Sequence, residues 1–283
     1  MFAAKTHFRD WRIPGVVPPG TMSNLPALEP GETLDALSGH FRIFQLEKGH
    51  RFSTDDILTA WYGTLWVPTV RTALDLGSGI GTVALVAAWR FPAAQFATVE
   101  AQEESARLAR KSAEYNGVQD RFDIRVGDFR DPQVLRESER FDLVLGSPPY
   151  FPRGSGVEAE HPQKVACRFE VRGDIADYCS VAARHLEPTG LFATVFPIDP
   201  EAQHERIRQA AKEHGLSILR WRPVILRESN PPLLGLFAMM LSESLPEWMR
   251  HRTWQEPPLT IRQTDGSIHP EYSAVKLSFG FPP

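Results

Sequence analysis

The sequence predicts an α/β fold, a mostly parallel sheet of seven strands carrying helices, preceded by an irregular N-terminal extension. Three observations predict it. From Thr72 onward, short apolar runs alternate with helical stretches, the pattern of strand–helix–strand units that build a parallel sheet. One junction, Thr72 to Gly81, reads TALDLGSGIG: an apolar run into Asp75, then Gly77, Gly79 and Gly81, then the apolar helical stretch Thr82 to Trp89. At 283 residues, the chain is long enough to bury one full core of this kind with extensions.

Taken in order, residues 1–38 form a Pro/Gly-rich arm, with Pro14, Pro18, Pro19, Pro26 and Pro30 among Gly15, Gly20 and Gly31; this composition predicts irregular chain, with Trp11 as its one candidate anchor. Residues 39–283 form the folded domain. Phe41 to Leu46 alternates like a strand, and Lys48-Gly49-His50 resembles a turn. Ser53 or Thr54 caps a helix from Asp55 to Leu65, with acids in its first turn and Ile57, Ala60 and Trp61 on one face. The Rossmann-like part follows: strands 72–76, 95–100, 122–126, 141–145 and 191–196, with helices 81–90, 103–116, 175–185 and 200–214 between and after them. Runs 217–223 and 234–241 predict an antiparallel pair, and Asp265-Gly266-Ser267 a turn in the tail.

Composition narrows the function. A net charge of −4 excludes binding nucleic acid through overall charge and leaves room only for a local basic patch. Cys167 and Cys179 form no C-x-x-C pattern and read as reduced, which points to a cytoplasmic protein. No apolar run approaches a membrane span, and the N-terminus lacks an apolar signal core. His161 and His185 have no ligand spacing with the cysteines, so no metal is expected and both read as structural.

The glycine turn points to a nucleoside-bearing ligand. Glycines permit positive φ and close approach of backbone, and the helix that follows aims its free N–H groups at the ligand. Glu100 ends the next apolar run about twenty residues on, where a carboxylate can accept from both hydroxyls of a ribose. The spacing is G-x-G-x-G rather than the dinucleotide G-x-G-x-x-G, and Asp75 would repel a pyrophosphate. That carboxylate suits a cationic or donating ligand, such as the amino group of S-adenosylmethionine. At the carboxyl end of the strand 141–145 stands Ser147-Pro148-Pro149-Tyr150, in the crevice where open α/β sheets bind ligands. Its prolines stiffen the backbone and present a carbonyl and a hydroxyl as acceptors for a planar –NH2 group. Tyr150 offers a ring for a base to stack on.

DLGSGIG and SPPY, with Glu100 and Asp128 between them, resemble class I S-adenosylmethionine-dependent methyltransferases acting on amino groups. Within that class the chain resembles the bacterial tRNA (adenine-N6)-methyltransferases. Arg51-Phe52-Ser53-Thr54-Asp55-Asp56-Ile57-Leu58 is similar to their segment before the cofactor loop, and Tyr272 to Phe279 to their closing tail; the likeness runs from Phe41 to Phe279. The resemblance implies that Asp75, Gly77 and Gly79 line the methionine end of S-adenosylmethionine and that Glu100 holds the ribose. It implies further that Asp128 accepts from the adenine amino group with Phe129 beside the ring, and that Thr54 and Asp55 close over the cofactor. Ser147, Pro148 and Tyr150 would carry the transfer, and the substrate would be RNA, tRNA first.

Ser147 departs from the Asn usual in that subfamily and matches cytosine-N4 enzymes. A base seated deeper, a cytosine target and low activity all fit the change. A protein glutamine acceptor and a cofactor-binding scaffold without turnover are the remaining alternatives. The loop after Tyr150 carries Arg153, Lys164, Arg168 and Arg172 against Glu158, Glu160, Glu170 and Asp174, either as phosphate contacts or as a solvated mixed-charge surface.

Overall fold

The computed structural model describes residues 26–150, 163, 170 and 173–281. Trp11, His161, Cys167, Arg153, Lys164, Arg168 and Arg172 lie outside the described residues, and with them most of the loop expected to meet phosphates.

The chain opens with an antiparallel hairpin, β1 (Glu32–Ala36) and β2 (Arg42–Leu46), so regular structure begins inside the stretch expected to be irregular through residue 38. Side chains rather than sheet hydrogen bonds fasten the hairpin to the body. Ser112 Oγ accepts from the Phe44 amide at 3.0 Å, and Asn116 bonds both backbone groups of Arg42 at 2.8 and 2.7 Å.

Helix α1 (Thr54–Leu65) follows, capped by Ser53 with Asp56 returning the bond in a capping box. It is buried all round from Ile57 to Thr64, more than the single face expected, because it is wedged between the sheet and the next helix. Then β3 (Thr72–Leu76), α2 (Thr82–Arg90), β4 (Gln95–Glu100), α3 (Glu103–Tyr115), β5 (Phe122–Val126) and β6 (Phe141–Gly146) alternate as expected. After the loop come α4 (Ile175–His185), β7 (Leu186–Pro197), α5 (Glu201–Glu213), β8 (Leu216–Ile225) and β9 (Leu234–Leu241). The tail adds α6 (Glu247–Arg250), β10 (Trp254–Gln255), β11 (Leu259–Thr260) and α7 (Pro270–Leu277).

Among the described residues the main sheet runs β10-β8-β9-β7-β6-β3-β4-β5, with β11 also on β8. The seven expected strands are its body; β9 is antiparallel to both β7 and β8. The two further strands are two-residue pairings, too short to show as a sequence pattern. Strand β7 starts five residues earlier than expected: Leu186 pairs with Phe141, the register then slips, and Leu143 meets Leu191. Leu186 is buried, and that anchoring outweighs Pro188 and Gly190.

The sheet is apolar on both faces, as a parallel sheet requires. Ala73, Leu143, Leu145 and Val195 face the core under α1 and α2; Leu74, Leu76, Val144 and Phe192 face the core under α4 and α5. Helix α7 closes the first core. Phe279 is fully buried and its carbonyl accepts from the Gly39 amide at 2.8 Å and from Ser38 Oγ at 2.9 Å, which ties the C-terminal tail to the N-terminal hairpin. Because β3 to β7 run parallel, their carboxyl ends emerge along one edge, and the site lies there.

Candidate active site

A cavity of about 680 Å³ opens at those strand ends. The turn between β3 and α2 is its floor. Gly77, Gly79 and Gly81 all have positive φ, and at Gly77 (φ +61°) a Cβ would run into the Tyr178 hydroxyl, so only glycine fits. Gly79 (φ +55°) has open space where its Cβ would be.

Asp75 leaves β3 beneath this turn. Its Oδ2 accepts from the Ala84 amide at 3.0 Å, supplying the cap that Gly81 lacks a side chain to make. Its Oδ1 is buried without a hydrogen-bond partner among the described residues. Glu100, at the end of β4, accepts from the Gly79 amide at 2.8 Å and the Gln102 amide at 2.7 Å, so the carboxylate and the turn form one unit.

The tetrapeptide Ser147-Pro148-Pro149-Tyr150 follows β6 and lines the same cavity. The Tyr150 ring packs edge-on against Phe196 with centroids 6.1 Å apart, and its hydroxyl donates to Asp55 Oδ2 at 2.8 Å. Burial, then the charge of Asp55, pushes the Tyr150 phenol well above its ordinary value.

Acidity dominates the walls. Asp55 and Asp56 begin α1, and burial pushes each carboxyl up to about 6. Burial pushes Asp75 well above the usual carboxylate range, and the charges of Asp56 and Glu100 act in the same direction. Closely spaced carboxylates, Asp75 and Glu100 buried, Asp55 and Asp56 half-buried, and Asp75 with an orphaned oxygen, favour a cationic ligand. The sulfonium and ammonium groups of S-adenosylmethionine meet that requirement, and the residues present fit it.

Other expected residues are placed less directly. Asp128 lines the cavity but is gripped by Arg130, Nε to Oδ1 at 2.9 Å and Nη2 to Oδ2 at 2.6 Å, with Arg130 also reaching Asp177 at 3.2 Å. Phe129 is buried, edge-on to Tyr178 at 4.8 Å. Thr54 is not in the cavity lining; it stands near Tyr272 of α7, beside Asp55. His185 is buried with Nδ1 3.0 Å from the Glu139 carbonyl, a structural histidine.

Asp56 and Tyr178 are among the lining residues that escaped the sequence reading. Asp56 had a signal in the Ser53-x-x-Asp56 capping box. Tyr178 had none: it reaches the cavity from the first turn of α4, packing on Gly77 and Gly146.

Among the described residues no helix is long and apolar enough to cross a membrane, and no group of His, Cys, Asp and Glu could hold a metal.

Comparison with known proteins gives the same outline. Residues 59–197, from α1 through β7, match the family model described as "Methyltransferase small domain". A Vibrio cholerae protein named tRNA1(Val) (adenine(37)-N6)-methyltransferase is 30% identical over 234 residues, covering 81% of this chain and 89% of its own. A Porphyromonas gingivalis protein of the same name is 32% identical over 163 residues, covering 56% of this chain and 63% of its own, just under two thirds of that relative's length. Among solved structures, a predicted O-methyltransferase from Agrobacterium tumefaciens has a TM-score of 0.59 at 17% identity, covering 81% of this chain and 98% of its own. A type I restriction-modification system methyltransferase subunit from Streptococcus thermophilus has 0.51 at 17%, covering 74% and 47%. At such identities the likeness is one of fold.

Proposed function

This chain belongs to the family of S-adenosylmethionine-dependent methyltransferases that these relatives represent, and from that premise we propose that it transfers a methyl group to the N6 amino group of adenine in tRNA. One observation carries the reading: the Ser147–Tyr150 turn opens into the same acidic cavity as the glycine turn and Glu100. The names of the relatives supply the substrate. The same reading takes the chain to act in the cytoplasm, with RNA as its partner and no metal.

Asp75, Gly77 and Gly79 hold the methionine end of the cofactor, with Asp75 Oδ1 the free acceptor for its ammonium. Glu100 holds the ribose, Asp128 and Phe129 flank the adenine, and Asp55 closes the sulfonium end. Thr54 acts at one remove, standing near Tyr272 of α7. Bound there, S-adenosylmethionine supplies an electrophilic methyl on a sulfonium.

The chain's own contribution is alignment, which can supply about 7–11 kcal/mol of a bimolecular barrier at best. Ser147 Oγ and a carbonyl of the proline pair accept the two hydrogens of the flat amino group, so its lone pair turns toward the methyl. Pro148 keeps that carbonyl from swinging away, and Tyr150 walls the base. A base within RNA structure must first be unstacked to enter.

Labelled methyl donor offered with total RNA, DNA and protein tests this. Label in RNA, recovered as N6-methyladenosine after digestion to nucleosides, is expected. Label recovered as N4-methylcytidine, or in protein alone, overturns the adenine or the RNA assignment respectively; cofactor bound with label nowhere leaves the scaffold reading.

A further inference from the structure

We propose that Asp55 and Gln203 are positioning residues for the acceptor base: they hold Tyr150 at its tip and at its backbone, and so fix its ring as the wall against which the base lies. The inference rests on the N-methylation reading and adds to it a residue from outside the cavity lining, Gln203 of α5.

Tyr150 packs against the hydrophobic cores on both faces of the sheet, and a helix from each face grips it. From α1, Asp55 Oδ2 accepts the Tyr150 hydroxyl at 2.8 Å. From the first turn of α5, Gln203 Nε2 donates to the Tyr150 carbonyl at 3.4 Å. The Gln203 amide has its orientation set by Arg206. A guanidinium only donates, and Arg206 Nη1 donates to Gln203 Oε1 at 2.9 Å, so the –NH2 end is left for Tyr150. Arg206 is held in turn: its Nη2 donates to Glu170 Oε1 at 2.6 Å, and its guanidinium lies 5.7 Å from the centroid of the Phe196 ring. Phe196 is the ring that meets Tyr150 edge-on. Tyr150, Asp55 and Gln203 are all half-buried, so each can be replaced without emptying a core.

A tyrosine ring keeps one place only if its backbone and its tip are both held. Pro149 stiffens the backbone before Tyr150, Gln203 holds the carbonyl after it, and Asp55 holds the hydroxyl. With its one hydroxyl hydrogen given to Asp55, Tyr150 has none left for a substrate, and what it offers the cavity is its ring. Every base has a face to stack, so such a wall orients the base and leaves the choice of base to the acceptors before it in the turn. Orientation matters because the amino nitrogen must approach the methyl carbon in line with the bond that breaks. A misplacement of about 1 Å can cost on the order of 100-fold in rate.

The test compares Tyr150→Phe, which keeps the ring and loses the donor, with Gln203→Glu, which keeps the bond from Arg206 and cannot donate to the carbonyl. With unmodified tRNA and saturating cofactor, and counted per cofactor-binding site, each should lose about 3- to 30-fold in single-turnover rate, the worth of one hydrogen bond. The tRNA concentration at half-maximal rate should stay within about two-fold of the parent's, because the ring is still there to stack on. Tyr150→Ala removes the ring and should raise that concentration as well. Asp55→Asn keeps an accepting oxygen and should lose less rate than Asp55→Ala. Independently of turnover, the 13C resonance of Tyr150 Cζ should move in Asp55→Ala, and that of the Tyr150 carbonyl in Gln203→Glu. Full rates in Tyr150→Phe and Gln203→Glu, losses confined to the half-saturating tRNA concentration, or unmoved resonances in a protein that methylates tRNA would overturn the brace. If the parent methylates no acceptor while both resonances move, the substrate reading and the positioning role fail together, and only the two hydrogen bonds stand.

Discussion

Asp75 holds down the N-terminus of α2 by accepting from the Ala84 amide at 3.0 Å, and its other oxygen, buried and unpartnered among the described residues, belongs to the cavity. One carboxyl thus faces both helix and cavity, and substitution can separate the two. Asp75→Asn keeps an oxygen for Ala84 and removes the buried charge, so its thermal midpoint should stay at or above the parent's while cofactor affinity falls. Asp75→Ala loses the cap as well and should cost about 1 kcal/mol of stability in addition. Calorimetry of both variants checks this; an Asn variant that binds as the parent does would remove Asp75 from the ligand site.

Cofactor binding should depend on pH. The carboxyls of Asp55 and Asp56 are raised to about 6 from an ordinary 3.8. Between those values the unfolded chain ionises while the folded one keeps its protons. Their contribution to stability is therefore complete below about pH 4 and lost as pH rises through 6. A bound cation favours the ionised form, so affinity should rise between pH 5 and 7, by about tenfold for each carboxyl that must ionise, with proton release. Titration calorimetry in buffers of different ionisation enthalpy reads both; a flat affinity would separate these carboxyls from the cation.

The glycines of the turn should differ in their tolerance. Gly79→Ala suffers only the backbone strain of a positive φ, about 1–2 kcal/mol. Gly77→Ala suffers that strain and a clash with the Tyr178 hydroxyl, and should be the less stable of the two. Tyr178→Phe, by removing the oxygen, should restore part of the Gly77→Ala loss in thermal melts. Absence of any rescue would show that strain alone excludes a side chain there.

Glu100→Gln should not be conservative. Both carboxylate oxygens accept backbone N–H groups, from Gly79 and Gln102. An amide has one accepting oxygen, so its –NH2 must face one of those donors, at a cost of about 1–3 kcal/mol. Loss of both stability and cofactor affinity is expected; an unchanged melt would show that the turn does not depend on this carboxylate.

Much of this architecture was legible because its causes are local. The alternation of apolar strands with helices needs only near neighbours, and so do the glycine turn, the Ser53 cap and the rigid Pro148-Pro149 step. The rule that ligands gather at the carboxyl ends of parallel strands joined Asp75, Glu100 and Ser147 without coordinates. Local pattern failed where a distant partner decided the outcome. Leu186 enters β7 early because Phe141 awaits it, and Trp254 and Leu259 form strands only because the free edge of β8 is beside them.

The chain by itself determined the order of elements, the glycine turn after β3 and the rigid Ser147-Pro148-Pro149-Tyr150 turn after β6, since each is written in adjacent residues whose torsions and hydrogen bonds are short-range. Tertiary structure alone decided that Tyr150 donates to Asp55, 95 positions away, that Tyr178 forbids a side chain at Gly77, and that Arg130 occupies Asp128. It decided also how far Asp55, Asp56 and Asp75 are raised, because that depends on exclusion of water and on the nearness of like charges, which packing creates and sequence order does not.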